Sequence, residues 1–264
     1  TISGATLVGV VGAEDVTLAN ASTGTFAQAD IGTNITVTAA MTLAGAHTAN
    51  YTLDQPTLAA DITAIGLTVT GAEAQNKVYD GTTDATITGA TLVGVLGGET
   101  VTLENATTGT FAQATIGTSI GVTSSMTLGG ADAGNYSLSQ PTLSADISEK
   151  GLTVTKTSAG DKIYDGTAVA TINGGELVGV VSGDDATLAN AATGTFAQAD
   201  IGTNISVTTT MSLAGADAGN YTLAQPTLAA DIAAASLAGI GAVAQDKVYD
   251  GTTAVTITGA TLSG

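Results

Sequence analysis

The 264-residue chain carries 23 acidic residues against 5 lysines and no arginine, a formal net charge of -18. That balance disfavours nucleic acid and anionic membrane surfaces, which bind through clustered Lys and Arg. With no cysteine, no tryptophan and a single histidine, disulfides, thiolate catalysis, Cys-based metal centres and repeated His-based triads are excluded.

In chain order, the predicted elements are short strands separated by turn residues. Ile35-Thr36-Val37-Thr38 alternates apolar and hydroxyl side chains, the pattern of a half-buried strand. Leu67-Thr68-Val69-Thr70 repeats it, and Asp80-Gly81 then signals a turn in which glycine supplies positive φ. Val101-Thr102-Leu103 alternates again, and Ala145-Asp146-Ile147-Ser148 reads as a strand end. Asp165-Gly166 is a second turn of the same kind, followed by the strand Ile205-Ser206-Val207-Thr208. Ala230 to Ala235 reads as strand end and linker rather than helix, and Asp250-Gly251 closes the series. The expectation is an all-β chain with six to eight strands per unit and essentially no helix. No run approaches the ~18 consecutive apolar residues of a bilayer-spanning helix.

The elements recur with a fixed period. Phe26, Phe111 and Phe196 are 85 residues apart, and so are Pro56, Pro141 and Pro226, and Met41, Met126 and Met211. The six tyrosines form two such triplets, Tyr51, Tyr136, Tyr221 and Tyr79, Tyr164, Tyr249. A period this long exceeds a solenoid coil and approaches a small β-sandwich of roughly 100 residues. The predicted architecture is therefore tandem antiparallel β-sandwich modules arranged end to end as a rod or fibre. Junctions are placed near Gly66, Gly151 and Ser236, each before a leucine (Leu67, Leu152, Leu237). This divides the chain into a partial unit at 1–65, complete units at 66–150 and 151–235, and a partial unit at 236–264. Thr1 to Leu7 and Thr256 to Leu262 are the same piece of the repeat, so the expectation is a window of a longer array. The core of the first complete unit is predicted to contain Phe111, Ile120, Val122, Met126, Leu128, Tyr136, Leu138 and Ile147.

Lys77-Val78-Tyr79-Asp80-Gly81-Thr82-Thr83 is followed by Gly109-Thr110-Phe111-Ala112 and by Gly130-Ala131-Asp132-Ala133-Gly134-Asn135-Tyr136. Gln140-Pro141-Thr142-Leu143 and Ala145-Asp146-Ile147 complete the set. In combination these resemble the YDG-type repeat, found in tandem in large bacterial surface proteins of the filamentous-haemagglutinin and adhesin type. The first unit departs from the pattern at His47-Thr48, where Asp132-Ala133 stands in the second. The resemblance implies an extracellular, Ig-like β-sandwich module of a stalk or fibre, with no catalytic residues.

Four groups of residues are candidate sites. Tyr79-Asp80-Gly81, Tyr164-Asp165-Gly166 and Tyr249-Asp250-Gly251 are read as a structural motif: the ring packs, the aspartate makes an Asx-type turn and the glycine takes the unusual backbone. Asp132 and Asp217, and the recurring Asp61, Asp146 and Asp231, are candidate oxygen ligands for calcium, which needs six to eight oxygens. Against this stands a solvated carboxylate that discourages mispairing of an edge strand. Lys77, Lys162 and Lys247 are read as edge-strand lysines or ion-pair partners. Asn34, Asn50, Asn135, Asn204 and Asn220 fall in Asn-x-Ser/Thr triplets, the N-glycosylation pattern.

The scattered acids and scarce aromatics build no substrate cleft, so the chain is expected not to be an enzyme. The expected function is a structural repeat segment of an extracellular bacterial surface fibre or adhesin stalk, setting its length and stiffness. Its expected partners are neighbouring repeats of the same or identical chains, beside an unidentified host, cell-surface or matrix partner. No cofactor is called for beyond the calcium candidates. The alternatives are a filament subunit joined head to tail by strand complementation of the partial units, and a glycan- or surface-binding module.

Overall fold

The computed structural model describes residues 1–263. The chain is all-β, and among the described residues its only helical turns are three 3-10 turns at Thr48–Asn50, Ala133–Asn135 and Ala218–Asn220. No helix among them is long and apolar enough to cross a membrane. Two compact units are present: one comprises Thr1–Gln75, Asp84–Ala112 and Gly121–Ala145, the other Asn76–Thr83, Gln113–Ile120 and the chain from Asp146 onward. Residues of the middle repeat are thus divided between them.

The second unit contains one repeat in full. Seven of its strands form a sheet in the order Lys162–Ile163, Leu228–Ala233, Gly202–Thr209, Thr193–Phe196, Val169–Val178, Lys150–Ala159, Tyr221–Ala224. Thr187–Ala189 and Ser212–Ala214 make a separate two-stranded pair. The repeat therefore has nine strands, one more than the expected maximum, because the shortest carry no alternation to read. The strand Val169–Val178 pairs through its first residues with Thr193–Thr195 and through its later ones with Thr153–Ala159. Val154 and Leu223, from the two strands that end the sheet order, pack on the cluster of Ala170, Ile172, Phe196, Ile205, Val207, Met211, Ala230 and Ile232. The sheet thus curls over its own core.

Local sequence accounts for these strands. In Gly202–Thr209 the side chains of Ile205, Val207 and Thr209 are buried, and Ser206 and Thr208 between them are exposed. The buried Thr209 hydroxyl donates to Gln225 Oε1 at 2.8 Å. Gln225 also accepts from the Met211 N–H at 3.1 Å and donates to the Met211 carbonyl at 2.8 Å, so one amide satisfies a buried hydroxyl and both backbone groups of Met211. Leu152 is fully buried, and sequestering such a side chain contributes about 1.5–3 kcal/mol.

Pairing is mostly antiparallel, but each of the two complete repeats also has two parallel pairs that alternation does not reveal. Lys150–Thr153 runs parallel to Tyr221–Ala224, and Lys162–Ile163 runs parallel to Ile232–Ala233.

The first unit follows the same plan. Gly24–Phe26, Gly32–Ala39 and Leu58–Ile62 form one antiparallel sheet, and Thr91–Val93, Ile65–Thr70 and Tyr136–Ser139 another in which the last pair is parallel. Of the predicted core residues, Phe111, Ile120, Val122, Met126, Tyr136 and Ile147 are buried, while Leu128 and Leu138 are half-buried. Leu67 and Ile87 are buried core residues that the sequence reading did not select.

Candidate functional site

The Tyr-Asp-Gly motif begins as a short parallel strand. Lys77–Val78 pairs with Ile147–Ser148, and the Tyr79 N–H donates to the Ser148 carbonyl at 2.9 Å. Asp80 Oδ1 accepts from the Thr82 N–H and hydroxyl, both at 2.9 Å, and from Lys77 Nζ at 2.8 Å. Gly81 follows at φ 78°, and a Cβ there would lie 2.9 Å from Val181 Cγ1. The turn is therefore the Asx turn read from the sequence, closed by an ion pair.

The other two copies repeat it. Asp165 accepts from Thr167 at 2.9 Å and pairs with Lys162 at 2.7 Å, and Asp250 accepts from Thr252 at 2.9 Å and pairs with Lys247 at 2.8 Å. Lys162 Nζ also lies 5.8 Å from the centre of the Phe196 ring. The hydrogen bond from Lys162 holds the Asp165 carboxyl down to about 2, with Thr167 adding to it. Burial works upward on Asp80, yet the hydrogen bonds from Lys77 and Thr82 outweigh it and keep that carboxyl below its ordinary value. Lys247 has the same lowering effect on Asp250.

The three rings, by contrast, meet different surroundings. Tyr79 is 5% exposed, Tyr164 42% and Tyr249 92%. Within the second unit, the Tyr79 hydroxyl donates to Asp184 Oδ2 at 2.8 Å. Its ring meets Tyr221 edge to face, 5.4 Å between centroids at 83°. The Tyr221 hydroxyl donates to the same Asp184 oxygen at 2.5 Å and accepts from the Val181 N–H at 3.0 Å. Beside them the Ile116 N–H donates to Asn220 Oδ1 at 3.2 Å. Burial first, and then the hydrogen bond to Asp184, pushes the Tyr79 phenol up to about 12. Tyr221 is raised for the same two reasons. Tyr79 and Ile116 belong to one 85-residue repeat, and Asp184, Asn220 and Tyr221 to the next.

The first unit contains the corresponding acid–tyrosine pairs. Tyr136 donates to Glu99 and Tyr51 to Glu14, and each tyrosine hydroxyl accepts a backbone N–H, from Leu96 at 3.1 Å and Val11 at 3.0 Å. The hydrogen bond to the glutamate raises each phenol. The Ile31 N–H donates to Asn135 Oδ1 at 3.0 Å, the same bond as Ile116 to Asn220 one period earlier, and Asn135 Nδ2 donates to Asp30 Oδ1 at 2.9 Å. The sequence reading missed these pairs. Their signal was available: Glu14, Glu99 and Asp184 share one repeat position, each 37 residues before a tyrosine.

The calcium candidates have backbone partners. Asp61, Asp146 and Asp231 accept from the N–H groups of Asn34, Ser119 and Asn204 at 2.8, 2.7 and 2.7 Å. Those three residues sit at φ 56°, 51° and 51°. For Asn34 and Asn204 this is where the strand register shifts by a bulge. Asp132 and Asp217 accept from the Thr100 and Asp185 N–H groups at 2.7 and 2.8 Å. In the first repeat His47 Nδ1 takes over that task, accepting from the Asp15 N–H at 3.0 Å. Among the described residues no three His, Cys, Asp or Glu side chains gather in a way that could hold a metal ion. Of the Asn-x-Ser/Thr asparagines, Asn220 is buried and Asn135 is held by Asp30 and Ile31.

The YDG domain family model matches the chain at residues 1–59, 63–143 and 148–228. No curated protein and no solved structure matches it.

Proposed function

The chain belongs to the YDG domain family, and from that premise we propose that it is a structural, non-catalytic repeat segment of an extracellular bacterial surface fibre or adhesin stalk. Its work is mechanical, holding a distal element at a set distance. The observation that carries this reading is the recurrence of one contact at successive junctions: Ile31 N–H to Asn135 in the first unit and Ile116 N–H to Asn220 in the second. A carrier of binding or catalysis has no need for identical joints, whereas a spacer of fixed stiffness does. The net charge of -18 favours solubility and opposes lateral association, and the lack of cysteine suits a chain exported unfolded. Immunogold labelling of intact source cells with an antibody against residues 66–235 tests the reading. Label along surface projections is expected, and label confined to the cell interior overturns it.

A further inference from the structure

We propose that the tyrosine of the Tyr-Asp-Gly motif is an inter-repeat latch, presented by one repeat and received by the acid–tyrosine pair of the next. The inference concerns the joint between repeats and stands apart from any cell-surface role.

Three observations converge on it. The first is the contrast among the copies. All three turns are closed by the same lysine, aspartate and threonine contacts, yet Tyr79 is 5% exposed and Tyr164, whose own repeat is present in full, 42%. The turn therefore does not need the ring, and the ring's own repeat does not bury it. The second is the identity of the partners. Both the hydrogen bond and the aromatic contact of the Tyr79 side chain lie more than a full period away, at Asp184 and Tyr221. A carboxylate oxygen has two lone pairs, and Asp184 Oδ2 uses them for two phenol hydroxyls, one from each repeat. The third is the matching cavity in the first unit. There Thr63, Leu96, Glu99 and Tyr136 line a hollow of about 90 Å³. Each of them stands 85 residues before Ser148, Val181, Asp184 and Tyr221, the four residues around Tyr79 and Gly81.

Each repeat is thereby polar. One end carries a ring and the other a socket. The socket is defined by chemistry: a carboxylate already holding one phenol, whose ring meets a second aromatic edge to face. Its partner is a Tyr-Asp-Gly segment of another repeat of this family. The glycine contributes by having no side chain where Val181 approaches.

The test uses the full chain, which has no native cysteine, with spin labels on Thr118→Cys and Thr210→Cys, both exposed and both in the second unit. Double electron–electron resonance reads the distance distribution between them. The latch predicts one narrow peak, lost in Tyr79→Ala and retained in Tyr164→Ala, which removes the same ring from the same kind of turn. Asp184→Ala attacks the joint from the socket side and should broaden the peak as well, which keeps the test decisive if Tyr79→Ala folds poorly. An unchanged peak in both Tyr79→Ala and Asp184→Ala overturns the proposal. So does equal broadening in Tyr164→Ala, which would assign the ring to its own repeat.

Discussion

Replacing Tyr79 by phenylalanine keeps the buried ring and removes only its hydroxyl. A hydrogen bond to a charged acceptor contributes about 1.5–3 kcal/mol. Asp184 is half-buried and keeps the Tyr221 hydroxyl in the variant, which places the loss at the lower end, about 1.5 kcal/mol, or roughly tenfold in the equilibrium. The pH dependence follows from linkage. Tyr79 is raised from 10.0 to about 12 in the folded chain, so its contribution is complete below pH 10 and disappears as pH rises through about 12. Chemical unfolding of the full chain, followed by far-ultraviolet circular dichroism at several pH values, measures the gap between wild type and Tyr79→Phe. The gap should be constant from neutral pH to about 10 and shrink above that. Tyr164→Phe, whose ring is 42% exposed, should show no gap. Equal effects of the two substitutions, or no effect of Tyr79→Phe at any pH, would refute the reasoning.

Asp165 tests the turn from the acid side. Its carboxyl is lowered from 3.8 to about 2, so its stabilisation is present above pH 4 and lost as pH falls through 2, and an acid titration of Asp165→Asn against wild type should show the two converging over that window. Gly215 sits at φ 111°, and a Cβ there would lie 2.3 Å from the Asp185 carbonyl oxygen. Gly215→Ala should therefore cost about 1–3 kcal/mol in urea unfolding, whereas Gly219→Ala, with nothing within 4 Å, should stay within about 0.5 kcal/mol. Asp61, Asp146 and Asp231 are occupied by backbone N–H groups, so adding calcium or EDTA should leave the melting transition in place. A calcium-dependent rise in Tm would restore them as ligands.

The strands were legible because one face is buried and one is wet. Ile205-Ser206-Val207-Thr208 alternates in sequence and in burial alike, and the Asp-Gly turns carry their chemistry in adjacent residues. What could not be read was set by distant partners. Parallel pairing of Lys162–Ile163 with Ile232–Ala233 joins segments some 70 residues apart, and no local pattern distinguishes it from antiparallel pairing. Tyr79 reads as a ring that packs, but not as one that packs against a residue 105 positions away. The recurring Asp231 reads as a ligand or an edge charge. In the structure its Oδ1 accepts the N–H of Asn204 at a bulge, where positive φ directs that N–H outside the strand ladder. His47 reads as a departure from the repeat, yet its imidazole nitrogen accepts the same backbone hydrogen bond as Asp132 and Asp217, a functional equivalence that residue identity conceals.

The central claim is that successive repeats are docked through ring and socket rather than strung on a free linker. Nitrogen-15 relaxation of the full chain tests it most directly, by comparing residues 113–120 of one repeat with residues 181–221 of the next, all within the second unit. Docked repeats predict one rotational correlation time and a common diffusion axis for both segments. Separate correlation times, unchanged by Tyr79→Ala, would contradict the account.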